Sequence, residues 1–372
     1  DLHSFPTRRS SDLSLTPPER ERSVAWFSPG GQVLPHEIPV KEQFFIKQSM
    51  DFLTEAIVTG QRDRAVEIIA KIKLFQREMI GDLLPSETKI RAEIFYNTLR
   101  SQKWPVFLAL TLSLLLCVMI LFGKKRAWLT MFALSFAMLL TAYVTLQLAL
   151  RWWLSGHVPV SNGPETMLFM AWVILLLTTL LSMRKGAKEE AVLAFGPLVA
   201  SFCLLVAMLG GNSEITPLMP VLQSPLLSIH VMTVMCAYAL FALQMLLGIY
   251  VLILTRRKNQ RRPSFLIHQS TFHRLTALSQ LLLYPAVFLL TIGIFLGAVW
   301  ANVSWGNYWS WDPKESWALI TLMVYAVPLH KTSIAIFRRP RFYHLYMVCA
   351  FLAVIITYFG VNYLLGGMHS YA

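Results

Sequence analysis

Eight apolar runs limit what this chain can fold into. They fall at 104–122, 127–150, 165–183, 191–209, 226–254, 275–299, 315–336 and 343–365. Each comes close to or exceeds the ~20 residues that an α-helix needs to cross a bilayer. Inside lipid the backbone must satisfy its own hydrogen bonds, so such runs fold as a bundle of helices. The fold class is therefore all-α: a polytopic helical membrane protein of about eight transmembrane helices, preceded by a small helical extracytoplasmic segment. Charged residues make up only 14% of the chain, against about 25% in soluble domains. A net charge of +13 would point to nucleic acid in a soluble protein. Here the basic residues sit in short loops between apolar runs, so no nucleic-acid partner is expected and membrane lipid is.

The loops also give an orientation. One alternate set carries Lys124, Lys125, Arg126, Arg184, Lys185, Lys188, Arg256, Arg257, Lys258, Arg261, Arg262, Arg274, Arg338, Arg339 and Arg341. The other set, near 151–164, 210–225, 300–314 and 366–372, carries only Arg151 and Lys314. By the positive-inside rule the first set is cytoplasmic. The expected location is a bacterial inner membrane, with the N-terminal segment, the 300–314 loop and the C-terminus on the periplasmic side. Cys117, Cys203, Cys236 and Cys349 all lie in apolar runs with no C-x-x-C pair. A thiol–disulfide mechanism and a structural zinc site are not expected.

Three regions follow. Residues 1–13, DLHSFPTRRSSDL, are Ser/Arg-rich and have no signal-peptide apolar core, and they read as a leader foreign to the rest. Residues 14–103 read as an extracytoplasmic segment. It begins Pro/Gly-rich and continues as three amphipathic helices, with Ala65, Ile68, Ile69, Ile72 and Phe75 on one apolar face. Ser86 is the expected N-cap of the third helix. Residues 104–372 form the transmembrane domain.

The chemistry concentrates in the loop at 300–317, Trp305-Gly-Asn-Tyr-Trp-Ser-Trp-Asp-Pro-Lys-Glu-Ser-Trp317. Single tryptophans anchor helices at membrane interfaces. Four of them, broken by Gly306 and Pro313, suggest instead a flat aromatic surface for a large planar ligand. His230, near the start of the fifth run, and His369, after the eighth, fall at the same level as this loop. Neutral imidazole is a common axial ligand of haem iron. Arg151 is placed to pair with a carboxylate such as a haem propionate. His157 is a candidate outer partner of the site. His330, followed by Lys331, lies about fifteen residues into the seventh run, and an ionisable residue at that depth marks a functional site by default. His268, His273 and His344 read as solvated residues of the basic side.

The stretch Trp305–Glu315 resembles the WWD motif of haem-handling proteins. Over about 104–372 the chain is most similar to the CcsA (ResC) family of system II cytochrome c biogenesis. Supporting matches are Ser161-Asn-Gly-Pro-Glu-Thr166, Pro225-Leu-Leu-Ser-Ile-His230, the run with His330, and Met368-His-Ser-Tyr371. The resemblance implies that haem b is brought across the membrane and presented to apocytochrome c at its C-x-x-C-H cysteines. The activity implied is a holocytochrome c synthase, working with a CcsB/ResB-like protein or the missing N-terminal half of a fused CcsB–CcsA protein. A thiol reductant system is implied alongside it.

By the same resemblance, His230 and His369 are axial ligands of an outer haem, against Trp305, Trp309, Trp311 and Asp312. His330 is a ligand of a second haem within the membrane, whose other ligand is not found in this chain. No general base is evident, so no catalytic residue is assigned. Asp312 and Glu315 are read as groups that hold the loop. The chief alternative is a b-type cytochrome exchanging electrons with quinone, which needs histidines paired at matched depth. A lipid-linked or polysaccharide transporter is a third class, and it carries no haem ligands.

Overall fold

The computed structural model describes residues 5–7, 25–27, 40–80, 85–122, 127–183, 190–210, 215, 224–258 and 265–365. They divide into two compact units, 1–91 and 92–372.

In the first unit, strands β1 (Phe5–Thr7) and β2 (Ala25–Phe27) pair antiparallel. Helices α1 (Val40–Val58) and α2 (Arg62–Ile80) follow. The apolar face expected of α2 is the buried one. Ile72 is fully enclosed with Ile46, Ala65 packs with Leu53 and Ala56, and the Phe75 and Phe45 rings meet at 4.9 Å. Helix α3 (Glu87–Ser101), most of which belongs to the second unit, begins as expected, with the Ser86 hydroxyl accepting from the Lys89 amide.

The second unit is a bundle. It comprises α4 (Trp104–Phe122), α5 (Ala127–Ser155), α6 (Gly163–Met183), α7 (Glu190–Leu209), α8 (Pro225–Lys258), α9 (Phe265–Trp305), α10 (Pro313–Ala326) and α11 (Pro340–Ile355). Helix α8 is its axis and packs against α6, α7, α9 and α11. Small residues allow close crossings, which compensate in lipid for the missing hydrophobic drive between helices. A Cβ added at Gly196 would lie 2.0 Å from Thr178, and one at Gly248 would lie 2.9 Å from the His344 carbonyl. Short polar pairs tie other crossings: Ser113 with Ser201 at 3.1 Å, and Thr321 with Thr357 at 2.8 Å.

The all-α, multi-pass reading holds, with fewer long spans than eight. Among the described residues six helices are long and apolar enough to cross a membrane, or seven if the broken pair Glu87–Ser101 and Trp104–Ile120 counts as one. The seventh apolar run is not one continuous helix. Helix α10 has 14 residues and gives way to a 3-10 turn, Val327–His330. Pro328 lacks the amide that an α-helix would need there. The α-helical part rises ~21 Å and the tighter turn adds ~8 Å, close to the ~30 Å hydrocarbon thickness. The eighth run also changes character, because α11 continues as a π-helical segment, Ile356–Leu365.

His344 corrects the sequence reading. It is fully buried rather than solvated, because its backbone packs on Gly248 and its Nε2 lies 3.1 Å from the Thr276 hydroxyl.

Candidate functional site

A cavity of about 260 Å³ opens at one end of the bundle. Five stretches build it, and each is held in place by local chemistry. The first is the entry to α6, where Ser161, Asn162, Gly163 and Thr166 line the wall. Asn162 caps the helix, its side chain accepting from the Glu165 amide at 3.0 Å. The Glu165 carboxylate reaches back to the Ser161 amide at 2.7 Å.

The second stretch is the first third of α8, which supplies His230 with Val231, Val234 and Tyr238. The His230 Nδ1 lies 2.7 Å from the Gly293 carbonyl of α9. A carbonyl only accepts, so Nδ1 carries the proton and Nε2 is left as the basic nitrogen. This is the arrangement by which a second partner fixes a metal-binding imidazole. Helix α9, the third stretch, makes room for the ring. A Cβ at Gly297 would lie 2.7 Å from His230 Cε1, and one at Gly293 would lie 2.6 Å from Val234.

The fourth stretch is the tryptophan loop. Asp312 caps α10 and accepts from the Lys314 and Glu315 amides at 2.9 and 3.0 Å. Glu315 closes the capping box on the Asp312 amide and also accepts from the Ser310 amide at 2.8 Å. Pro313 occupies the first turn, where its missing amide costs nothing. Asp312 and Glu315 therefore build the loop, as the sequence suggested. Trp311 has φ +58°, rare for so bulky a residue, and such strain concentrates at functional sites.

The fifth stretch is the π-helical end of the chain, a geometry often met at functional sites. Tyr358 and Asn362 face the cavity there. The Lys314 ammonium donates to Asn362 Oδ1 at 3.0 Å, and the Tyr358 and Thr166 hydroxyls meet at 2.7 Å. Burial pulls the Lys314 ammonium below the usual lysine range, and the Asp312 carboxylate opposes that shift.

The tryptophans do not form one flat surface. Trp305 stands edge-on to the buried Trp300 at 72°, and Trp311 edge-on to Trp309 at 83°. Gly306, at φ +80°, and Trp311 turn the chain, and edge-to-face contact is the favoured arrangement of aromatic pairs. Of the four loop tryptophans, only Trp309 lines this cavity, next to Tyr308 and the α9 residue Trp300; the Trp309 Nε1 is buried with no hydrogen-bond partner among the described residues. Trp311 is 71% exposed on a separate shallow hollow beside Phe295 and Leu319.

The other sequence candidates separate. Arg151 is buried, and its carboxylate partner is Glu165 of the same chain, with Nε to Oε1 at 2.6 Å and the Tyr96 hydroxyl at 3.2 Å from its Nη1. It lines a second cavity, not this one. His330 is exposed after the far end of α10, away from Lys314, and the adjacent Lys331 donates to Gln280 at 2.6 Å. His157 lies on the loop entering the site, its Nδ1 3.2 Å from the Ser161 hydroxyl. His369 lies outside the described residues. Sequence reasoning gave no role to Lys314, Asn362 or Tyr358, or to the Gly293–Gly297 notch. Only the glycine spacing, four residues apart in an apolar run, was a readable signal.

The residues present fit a porphyrin. The walls at Leu290, Ile294, Val231 and Met235 are apolar, His230 offers an oriented imidazole, Lys314 offers a cation for a carboxylate, and Trp309 offers an N–H with no partner among the described residues.

Comparison with known proteins agrees with this geometry. The model of the family described as cytochrome c assembly protein matches residues 160–369, starting at the first cavity residue, Val160. Protein NrfI of Wolinella succinogenes is 34% identical over 337 residues, which is 88% of this chain and 36% of that protein. The chain thus spans little more than a third of that relative. The cytochrome c biogenesis protein CcsA of Parasynechococcus marenigrum is 36% identical over 290 residues, covering 71% of this chain and 93% of the relative. That of Prochlorococcus marinus is 35% identical over 259 residues, covering 61% and 80%. The cavity, its tryptophan loop and these matches place the chain in the cytochrome c assembly protein family, as a CcsA-like multi-pass membrane protein.

Proposed function

We propose that the cavity beside His230 holds haem b at the periplasmic face of the inner membrane and presents it to apocytochrome c for thioether attachment. The observation that carries this reading is the His230–Gly293 contact within an apolar cavity that also offers Lys314. When bound, haem supplies vinyl groups that the C-x-x-C-H thiols of apocytochrome c add across.

The chain's own residues do the positioning. His230 presents Nε2, with its tautomer set by the Gly293 carbonyl. His369, from Met368-His-Ser-Tyr371, is the residue that would hold the haem iron together with His230. Lys314, steadied by Asn362, holds a propionate. Trp309 and Tyr308, which line the cavity, would help to hold the haem, and the capping box of Asp312 and Glu315 fixes their loop. Trp305 and Trp311 act through their edge-on contacts with Trp300 and Trp309. Catalysis is then mainly orientation of two reactants. Arg151 fixes the Ser161–Thr166 wall through Glu165.

His330 is the proposed ligand of a second, intramembrane haem completed by a CcsB/ResB-like partner. Its exposed position suits a ligand shared with another chain. A thiol reductant system keeps the apocytochrome cysteines reduced.

The test is the dithionite-reduced visible spectrum of the protein co-produced with a CcsB-like partner. The expected wild-type spectrum is six-coordinate, low-spin haem b. His230→Ala and His369→Ala each weaken it, and imidazole restores it. A spectrum unchanged in the double variant would overturn the assignment.

A further inference from the structure

The bundle encloses a set of polar groups that the first cavity does not use. Gln244 of α8, Tyr325 of α10 and His344 of α11 are all fully buried. Both Gln244 amide atoms, the Tyr325 hydroxyl and the His344 Nδ1 have no hydrogen-bond partner among the described residues. Buried polar atoms in folded proteins are nearly always paired, with protein or with ordered water.

Packing brings the three residues to one place. Phe241, Gln244 and Gly248 follow at three- and four-residue spacing and share a face of α8. The Phe241 ring stacks on Tyr325 at 3.6 Å, and Gly248 makes room for the His344 backbone. Gln244 sits between these two contacts, ~4.5 Å along the axis from the first and ~6 Å from the second. The Tyr346 hydroxyl donates to the Val324 carbonyl at 2.8 Å, which ties α11 to α10 beside Tyr325. Such separations are long for direct hydrogen bonds and suit a bridging molecule.

The chemistry of the set selects the bridge. The Thr276 hydroxyl donates to the Phe272 carbonyl at 2.9 Å, so it accepts from the His344 Nε2 at 3.1 Å. Nε2 then carries the proton, and Nδ1 is left as an acceptor. Gln244 offers amide donors and a carbonyl acceptor, and the Tyr325 hydroxyl offers one of each. An ion would find no opposite charge on these three residues. An apolar occupant would leave all their free atoms unmet. Water both donates and accepts. A hydroxyl chain also leads from this core to the first cavity: Thr321, one turn before Tyr325, meets Thr357 at 2.8 Å, and Thr357 lines the cavity.

We propose that ordered water bridges Gln244, Tyr325 and the His344 Nδ1, and so ties α8, α10 and α11 together in the core of the bundle.

The test uses the full chain. A crystal structure at a resolution that shows ordered water is expected to place density within hydrogen-bond distance of these atoms. Direct bonds among the three side chains, with no density between them, would overturn the proposal. Melting temperature in nanodiscs is the second measurement. Gln244→Met keeps the side-chain length, and Tyr325→Phe keeps the ring that stacks on Phe241. Each variant breaks the bridge and leaves the other groups unmet, so each should lower the melting temperature by a few degrees. The double variant should lose less than the sum, because both residues act through the same water. Unchanged or higher melting temperatures in the single variants would show dry, unpaired groups and overturn the proposal. Strictly additive losses would also overturn it, since they exclude a shared bridge.

Discussion

The start and the middle of α8 handle buried polar groups in opposite ways. At the start His230 is half-buried, anchored through Nδ1, and faces a cavity. Further along, the Phe241 and Tyr325 rings stack at 3.6 Å, and Gln244 and His344 are fully enclosed. There the Gln244 amide atoms, the Tyr325 hydroxyl and the His344 Nδ1 have no hydrogen-bond partner among the described residues. Glycines serve both parts. Gly297 leaves space for the His230 ring beside the cavity, and Gly248 leaves space for the His344 backbone of another helix. A histidine in an apolar helix is therefore not a site by itself; one anchored nitrogen and an open wall make it one.

The sharpest way to break this contrast is to exchange the two histidines' fates. His230→Ala should weaken the low-spin haem spectrum with little loss of stability. His344→Ala should leave the haem content of the folded protein unchanged and lower stability by roughly 2–4 kcal/mol, through the cavity it creates. Haem spectra and denaturation in detergent separate the two outcomes, and a haem loss confined to His344→Ala would reverse the comparison.

The glycine pair gives the next effect. Overpacking a close crossing costs about 1–3 kcal/mol. Gly248→Ala should show this as lost stability alone. Gly297→Ala should displace the His230 ring and shift the haem absorbance and reduction potential, with partial rescue by imidazole.

Lys314 sharpens the cavity end. Lys314→Gln should weaken binding of a dicarboxylate porphyrin about tenfold, measured against a porphyrin diester that binds both forms alike. Its lowered pKa also fixes a sign. Burial disfavours the charged form in the folded protein, so the unfolded chain binds more protons between the lowered value and the ordinary lysine value. Across that window stability should rise with pH while porphyrin affinity falls. Lys314→Gln should flatten both trends.

The smallest effect is at the loop. Asp312→Ala removes one helix cap, worth ~1 kcal/mol. It should loosen Trp309 and Tyr308, seen as faster haem loss, and Asp312→Asn should recover most of it.

Much of the molecule was readable before any coordinates. The apolar runs, the face of α2 and the Ser86 cap are local features, set by periodicity and by contacts three or four residues apart. The seventh run was misread because apolarity does not reveal that Pro328 tightens the helix into a 3-10 turn. His344 was misread because loop charge says nothing about which side of a helix faces Gly248 and Thr276. The flat tryptophan surface failed because two positive φ angles set the ring directions.

Residue type and short spacing were enough to set a membrane-spanning helical bundle, the tryptophan-rich loop that lines one cavity, and the family resemblance. Tertiary structure decided which side chains share a cavity. His230 meets a carbonyl 63 residues away, Lys314 an amide 48 away and Thr166 a hydroxyl 192 away. Arg151 finds Glu165 instead of a ligand. Such pairings depend on how helices cross and rotate, and helical periodicity gives a face its direction but not its neighbour.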